Sequence, residues 1–398
     1  MSSFAVVGGL YGERCIHPNV DELYGSGGRA AVAIARAGHN VDWHYYCPTS
    51  LSAEAEQIVA WPRLTHKPYF STQQITFEYH HPLSRPVFYP GEIDAAPSIE
   101  VKAAQVLRFG LMEGDAVIDA ETCVYDPQST NDPRPFHENG SRAGVLALVL
   151  NSAEVLKYAS ATDEASAIAH LRQSHPGSIV LVKAGAEGCR VYEDGILSGT
   201  VPPYWSERVY KIGTGDVFSA AFARNWMLEG QTCLEAADIA SRCVARYAES
   251  RTPTVSLEEA GTDRKPIVQT RDGLVYLAGP IFTMSEIWMI DQVTEALEGL
   301  GVPVFSPYRD VGFGTAEKVV SRDIAGLERA TAVFACIDGT DPGTMFEIGY
   351  AVKKGIPVIC LSQNPKQSDL TMMLGSANCH IHDDLSTAVY HTAWWART

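Results

Sequence analysis

Paired cysteines are the first thing this chain lacks: nine cysteines occur in 398 residues, and none stands in a Cys-x-x-Cys spacing. That excludes a disulfide-stapled scaffold and fits reduced thiols in a cytosolic protein. The tightest metal-like run, Cys379-His380-Ile381-His382, has no partner ligands at a recognised spacing, so no direct metal ligand is assigned. Long apolar runs are missing too, and the opening MSSFAVVGGL has neither a basic segment nor an extended apolar one. A cytoplasmic protein without a membrane partner is expected. Basic charge is scarce, with 31 Lys and Arg against 47 Asp and Glu and a formal net charge of -16. A nucleic-acid polymer is therefore not an expected partner, because affinity for a phosphate backbone rests on cationic side chains. Small anionic ligands stay open, since a local site can oppose the global sign. Internal repeats and low-complexity tracts are absent as well.

What is present is ordinary globular composition, 46% apolar and 20% charged, in a chain longer than one hydrophobic core usually grows. Two α/β domains are expected, residues 1–250 and 274–398, joined by a polar linker at 251–273 that carries Pro and Gly and little periodicity. In the first, an apolar strand at 4–9 and a glycine turn feeding an Ala-rich helix at 25–38 open the pattern, and residues 65–90 read as a β excursion over a site. Apolar strands at 115–119, 145–150 and 178–182 and a helix at 217–228 then fit βα units around a mostly parallel sheet. In the second, strands near 274–278, 302–305, 331–337 and 356–361 alternate with helices near 285–300 and 316–330 and from 342. That predicts a flavodoxin-like parallel sheet with ligands beyond the carboxyl ends of its strands.

Residues 338–351 (DGTDPGTMFEIGYA) hold the most informative chemistry. Asp341 followed by Pro342 reads as a helix start, an Asp that can cap free N–H groups before a Pro with its φ preset for the first turn. From Gly343 to Val352 only Thr344 and Glu347 are neither apolar nor small, so the sequence offers Glu347 no polar face. A lone carboxylate in such a place is usually paired, neutralised or functional.

Gly213-Thr214-Gly215-Asp216 precedes the apolar run VFSAAFARNWML. Backbone N–H groups of a glycine turn at a helix start can hold a transferring phosphoryl group, and an adjacent Asp can take the proton of an attacking hydroxyl. Alone, Gly-x-Gly-Asp is also an ordinary capped turn. Together with GGRAAVAIARAG, Val124-Tyr-Asp126-Pro127, Asn151-Ser-Ala-Glu154 and Val182-Lys-Ala-Gly185-Ala-Glu-Gly188, in that order, the first half resembles the ribokinase-like (PfkB-type) family of carbohydrate and nucleoside kinases. The resemblance implies a three-layer α/β/α domain with a small β flap, which uses ATP and Mg²⁺. It makes Asp216 the catalytic base and Gly213, Thr214 and Gly215 the anion hole. Asn151 and Glu154 would organise Mg²⁺ through water, with Lys183, Gly185 and Gly188 beside the nucleotide. The acceptor, a sugar or nucleoside, would meet Glu13, Gly28 and Arg29. Tyr210-Lys211-Ile212 replaces the family's usual Asp-Thr-Thr, Arg29 its substrate-binding Asn and Glu13 a common Asp, which implies an altered acceptor pocket.

Tyr276-Leu-Ala-Gly279-Pro-Ile-Phe282, Arg322-Asp323, Asp338, Asp341 and Glu347 follow in order and resemble the nucleoside 2-deoxyribosyltransferase family, which includes nucleotide N-glycosidases. Breaking an N-glycosidic bond builds positive charge at C1′ that a carboxylate can stabilise or trap, and the departing base needs a proton or hydrogen bond. By resemblance Glu347 is the nucleophile, Tyr276 orients it, and Asp323 contacts or protonates the base. Gly279, Asp341, Thr344 and Met372 would contribute to the substrate site, with no cofactor. Asp341 serves equally well as a helix cap alone. Where the nucleotide-hydrolysing branch has a small hydroxyl residue for the 5′-phosphate, this chain has that Asp, which leans towards an unphosphorylated nucleoside; Thr344 and Ser306 stay open as phosphate contacts. Residues 370–375 roughly match a segment that transferases donate to a neighbouring subunit, and homo-oligomerisation is implied.

The expectation is a bifunctional enzyme acting on nucleosides, nucleobases or a pentose. Two alternatives stay open: a kinase supplying monophosphates to a hydrolase, and a glycosidase gated by an inactive kinase-fold sensor.

Overall fold

The computed structural model describes residues 4–58, 60–129, 131–312 and 314–398. The chain divides into two compact units, Met1–Ser206 with Tyr210–Pro266, and Glu207–Val209 with Ile267–Thr398.

In chain order the first unit comprises β1 (Phe4–Val7), β2 (Gly12–Cys15), β3 (Val20–Leu23), α1 (Gly25–Arg36), β4 (Val41–Cys47), α2 (Ser52–Ile58), β5 (Leu64–Phe70), β6 (Thr76–Tyr79), β7 (Val87–Tyr89), β8 (Ile99–Phe109), β9 (Ala116–Asp126), β10 (Arg142–Asn151), α3 (Ser152–Tyr158), α4 (Glu164–Ser174), β11 (Ile179–Lys183), β12 (Cys189–Glu193), β13 (Ile196–Val201), α5 (Thr214–Ala223), α6 (Cys233–Ser250) and α7 (Leu257–Ala260). Among the described residues its main sheet runs β13-β12-β11-β10-β9-β8-β1-β4-β5. Pairing is parallel from β11 to β5 and antiparallel at the β12 and β13 edge.

A parallel sheet needs cover on both faces, and β1 shows how the sequence supplies it. Phe4 and Val6 point into one core with Ala30, Ile34, Phe222 and Ala240 of α1, α5 and α6. Ala5 and Val7 point into the other with Val155 and Ile168 of α3 and α4. Three layers result. The approach of α1 to β1 depends on Gly27, where an added Cβ would stand 2.2 Å from the Gly8 carbonyl oxygen.

The expected β excursion at 65–90 is divided. β5 joins the main sheet beside β4, in register from Val41 and Leu64 to Cys47 and Phe70, and only β6 and β7 enter a second sheet, ordered β3-β2-β6-β7. Its β2–β3 hairpin went unread because four-residue strands of mixed polarity carry little periodic signal. The linker expected at 251–273 also needs correction. Val255 and Ala260 are buried in the first core, and Arg264 donates to Glu249 at 3.1 and 2.7 Å. Polar composition hid two buried anchors.

The second unit comprises β14 (Val275–Ala278), α8 (Met284–Gly299), β15 (Val304–Phe305), α9 (Ala316–Arg329), β16 (Ala332–Cys336), α10 (Pro342–Lys354), β17 (Val358–Leu361), α11 (Thr371–Leu374), β18 (Cys379–His382) and α12 (Leu385–Arg397). Its all-parallel sheet is ordered β15-β14-β16-β17-β18, the flavodoxin-like order whose topological switch lies between the first and third strands. On one face Tyr276, Ala278, Val333 and Ala335 pack with Leu327 of α9 and Ile348 and Ala351 of α10.

Candidate active sites

In the second unit, α10 starts where the sequence placed it. Asp341 is the N-cap, accepting from the Thr344 N–H at 2.7 Å and the Thr344 hydroxyl at 2.9 Å, Pro342 follows, and Gly355 ends the helix at φ +76°. This fixes Glu347 on the second turn, facing the strand ends at the switch point. Tyr276, fully buried in β14, donates its hydroxyl to Glu347 Oε1 at 2.6 Å. Burial pushes the Glu347 carboxyl up to about 7; the Tyr276 hydrogen bond opposes this, while the negative charges of Asp323 and Asp341 add to it. Tyr276 itself is raised by burial and by Glu347. Asp323, on α9, is also raised, by burial against the pull of Arg322. Its Oδ1 is buried and accepts no hydrogen bond among the described residues, which leaves one carboxylate oxygen free for a ligand.

The other expected residues fall at the same carboxyl edge or near it. Gly279 follows β14 where an added Cβ would stand 2.8 Å from Ile290 Cδ1 and 3.1 Å from Cys336 Cβ. Thr344 is 1% exposed and Ser306 2%, and the Ser306 N–H donates to Asp310. Met372, on α11, is 82% exposed. Asp338 has a role the sequence did not reveal: its carboxylate accepts from the Ser362 hydroxyl and from the Gln363 and Asn364 N–H groups at 3.1, 2.8 and 3.0 Å, pinning the loop after β17. Over its first turns the solvent side of α10 is made by Pro342, Gly343, Phe346 and Gly349, and exposed polar side chains appear only in the last turn, at Lys353 and Lys354.

In the first unit, Gly213 adopts φ +81° and is the N-cap residue of α5; the first N–H groups of a helix have no intrahelical partner. Asp216 lies in the first turn, 8% exposed. Burial raises its carboxyl to about 6 against the opposing charge of Arg29. Arg29 of α1 is bound to Asp216 at 2.5 Å and to Glu13 of β2 through both terminal nitrogens, so the position expected to receive a sugar is taken by an internal cation. Its guanidinium lies against Gly213, where a Cβ would come within 2.6 Å of Cζ. Tyr247 of α6 stacks over it at 5.8 Å and donates its hydroxyl to the Ile212 carbonyl. An added Cβ at Gly28 would meet the Trp43 ring at 3.1 Å and Tyr24 at 3.7 Å.

A second charged group adjoins the α5 start. Lys183, at the end of β11, donates to Asp126 Oδ2 at 2.7 Å. Burial opposes its charge, but Asp126 and Glu154 outweigh burial and raise it. Asp126 is fully buried, accepts also from Ser219 at 2.6 Å, and keeps Oδ1 without a partner among the described residues. Lys211 donates to the Thr214 hydroxyl at 3.3 Å, and burial together with Lys183 lowers it. Asn151 and Glu154 form a reciprocal capping box on α3, a sufficient structural reason for that spacing. Gly185 and Gly188 shape the β11–β12 turn at φ +56° and +92°. Gln128, which the sequence gave no reason to select beyond its place after the strand end at Asp126-Pro127, donates to Asp216 Oδ1 at 2.5 Å.

Each unit thus gathers carboxylates beside a helix start, Glu347, Asp323 and Asp341 in the second and Asp216, Glu13 and Asp126 in the first. Comparison with known proteins makes this specific. Residues 117–260 match the family model described as pfkB family carbohydrate kinase, and residues 275–384 match nucleoside 2-deoxyribosyltransferase. The carbohydrate-kinase match thus falls in the first unit and the deoxyribosyltransferase match in the second. Among solved structures, a pyrophosphate-dependent kinase of the ribokinase family, complexed with a pyrophosphate analogue and myo-inositol, is similar at 13% identity, with 64% of this chain and 98% of that one covered and a TM-score of 0.47. Ribokinase from Thermotoga maritima is similar at 14% identity, over 65% and 98%, with a TM-score of 0.45. A 2-deoxyribosyltransferase from Bacillus psychrosaccharolyticus is similar at 27% identity, over 28% and 87%, with a TM-score of 0.25. No curated protein matches the chain. None of the described helices is long and apolar enough to cross a membrane.

Proposed function

We propose that the chain is a bifunctional nucleoside-metabolising enzyme, in which the second unit cleaves or exchanges the N-glycosidic bond of a nucleoside and the first phosphorylates a nucleoside or pentose. The observation that carries this reading is the Tyr276–Glu347 hydrogen bond at the strand switch, with Asp323 beside it. Glu347 attacks C1′ as the positive charge develops there. Tyr276 keeps the carboxylate aimed and selects its free oxygen, and Asp323, with an unengaged oxygen, meets the leaving base. A second base attacking the glycosylated Glu347 gives transfer; water gives hydrolysis. The use of Asp341 Oδ2 on Thr344 leaves it a cap first, and a carboxylate there favours a 5′-hydroxyl over a phosphate. Incubation with deoxynucleosides and with their monophosphates, with and without an acceptor base, tests this. Base release from monophosphates only would overturn it in favour of a nucleotide hydrolase.

Only ionised Glu347 attacks, so base release is expected to rise with pH through a limb near 7. Donation by Tyr276 holds that carboxyl down. Tyr276→Phe should therefore move the limb to higher pH and lower the rate at pH 7 by about 10- to 100-fold. A pH profile of base release in both proteins checks the shift; an unmoved limb would detach Tyr276 from Glu347.

In the first unit, residues Gly213 to Gly215 and Lys183 suit a phosphate group, and the unengaged Oδ1 of Asp126 and the box at Asn151 and Glu154 suit a hydrated cation nearby. MgATP, when bound, supplies the phosphoryl group. Asp216 accepts the acceptor's proton and Arg29 holds the carboxylate in place. Self-association is supported by the large apolar side chains left in solvent on the second unit, Phe282, Met284 and Met372 among them.

A further inference from the structure

Both oxygens of the Asp216 carboxylate are engaged, by two donors of different kinds. Arg29 Nη1 donates to Oδ2 and Gln128 Nε2 to Oδ1, each at 2.5 Å. Arg29 is 1% exposed, doubly tied to Glu13, and set 5.9 and 5.8 Å over the rings of Tyr24 and Tyr247. It is a fixed counter-ion. Gln128 is exposed, sits beyond the end of β9, and holds φ +53°, a left-handed conformation that a residue with a Cβ keeps only where its surroundings impose it. It borders a cavity of about 490 Å³ that also reaches Tyr11, Phe77, Tyr79, Arg134 and Asp216.

We propose that the Gln128 amide stands in for the acceptor hydroxyl on Asp216 Oδ1, so that a neutral polyol or nucleoside binds by exchanging with Gln128 while Arg29 stays on Oδ2. This rests on the kinase reading for the identity of the acceptor. A hydroxyl replaces the amide as one donor replaces another, so the carboxylate is never left bare. It also makes Oδ1 the atom that receives the proton. Glu13 and Asp216 flank Oδ1, so the group that meets this atom is a neutral donor, while Arg108 and Arg134 elsewhere on the cavity lining leave room for a polar remainder of the acceptor. The aromatic rings of Tyr11, Phe77 and Tyr79 give an acceptor with a flat base apolar surface to cover.

Calorimetry without any phosphoryl donor tests the exchange, with ribose, 2-deoxyribose and thymidine as probes. Gln128→Ala, and Gln128→Asn, which is too short to reach Asp216 yet suits a left-handed backbone, are expected to bind at least one probe about tenfold more tightly than the wild type, because a competitor for Oδ1 has been removed. The Asp216 carboxyl, followed by ¹³C NMR, should titrate above its wild-type midpoint near 6, a change that a merely structural Gln128 would not produce. Equal or weaker binding of all three probes by both variants, including no binding by any protein, overturns the proposal. Phosphoryl transfer from MgATP is assayed separately: its absence alongside tightened binding sinks the kinase reading and leaves the exchange standing.

Discussion

Glu347→Gln is expected to lower base release by about 10³-fold or more, because the group that stabilises or traps the sugar cation is removed while its shape is kept. The same substitution should raise the stability of the second unit above neutral pH. The sign follows from proton linkage: a carboxyl raised to about 7 in the folded state, from 4.5, binds its proton more tightly folded than unfolded. Stability from this group is therefore intact below about 4.5 and is lost as pH climbs through 7, by at most about 3 kcal/mol. An amide has no charge to desolvate and avoids the loss. Urea unfolding of both proteins at pH 5 and pH 8, read from the second unit's tryptophans, measures it. An inactive variant that is more stable only at pH 8 is the expected outcome. Wild-type rates of base release in Glu347→Gln would sink the assignment of the nucleophile.

Asp216→Asn is expected to lower phosphoryl transfer by about 10²- to 10⁴-fold, the range for loss of a positioned base. Asn keeps an acceptor for Arg29 but takes no proton. Base release by the second unit should be unchanged in this variant. The sensor alternative predicts otherwise: a kinase fold that only gates the glycosidase consumes no ATP in the wild type, and a change in its ligand pocket alters base release instead. Measuring ADP formation and base release in the same samples separates these readings. Acceptor-dependent ATP consumption that disappears with Asp216→Asn rules out the sensor.

Much of the fold was legible because its signals are local. Parallel strands buried on both faces read as apolar runs, and Asp341-Pro342 marks the start of one helix through backbone requirements that no distant contact changes. The β2–β3 hairpin and the anchors at Val255 and Ala260 were not legible, since short strands and isolated buried positions gain their meaning only from the surfaces they meet.

The division at the two sites has the same cause. From the sequence alone came the two enzyme-family patterns, the choice of Glu347 as a carboxylate without a polar face, and the choice of Asp216 beside a glycine turn. These rest on residue type and spacing along one chain. Only the tertiary structure decided what each carboxylate touches. It joined Tyr276 to Glu347 across 71 positions, and Arg29 and Gln128 to Asp216 across 187 and 88. Hydrogen bonds and desolvation depend on distances of a few ångströms, which linear separation does not encode. The candidate carboxylates were therefore nameable from the sequence, and their partners and burial were set by the fold.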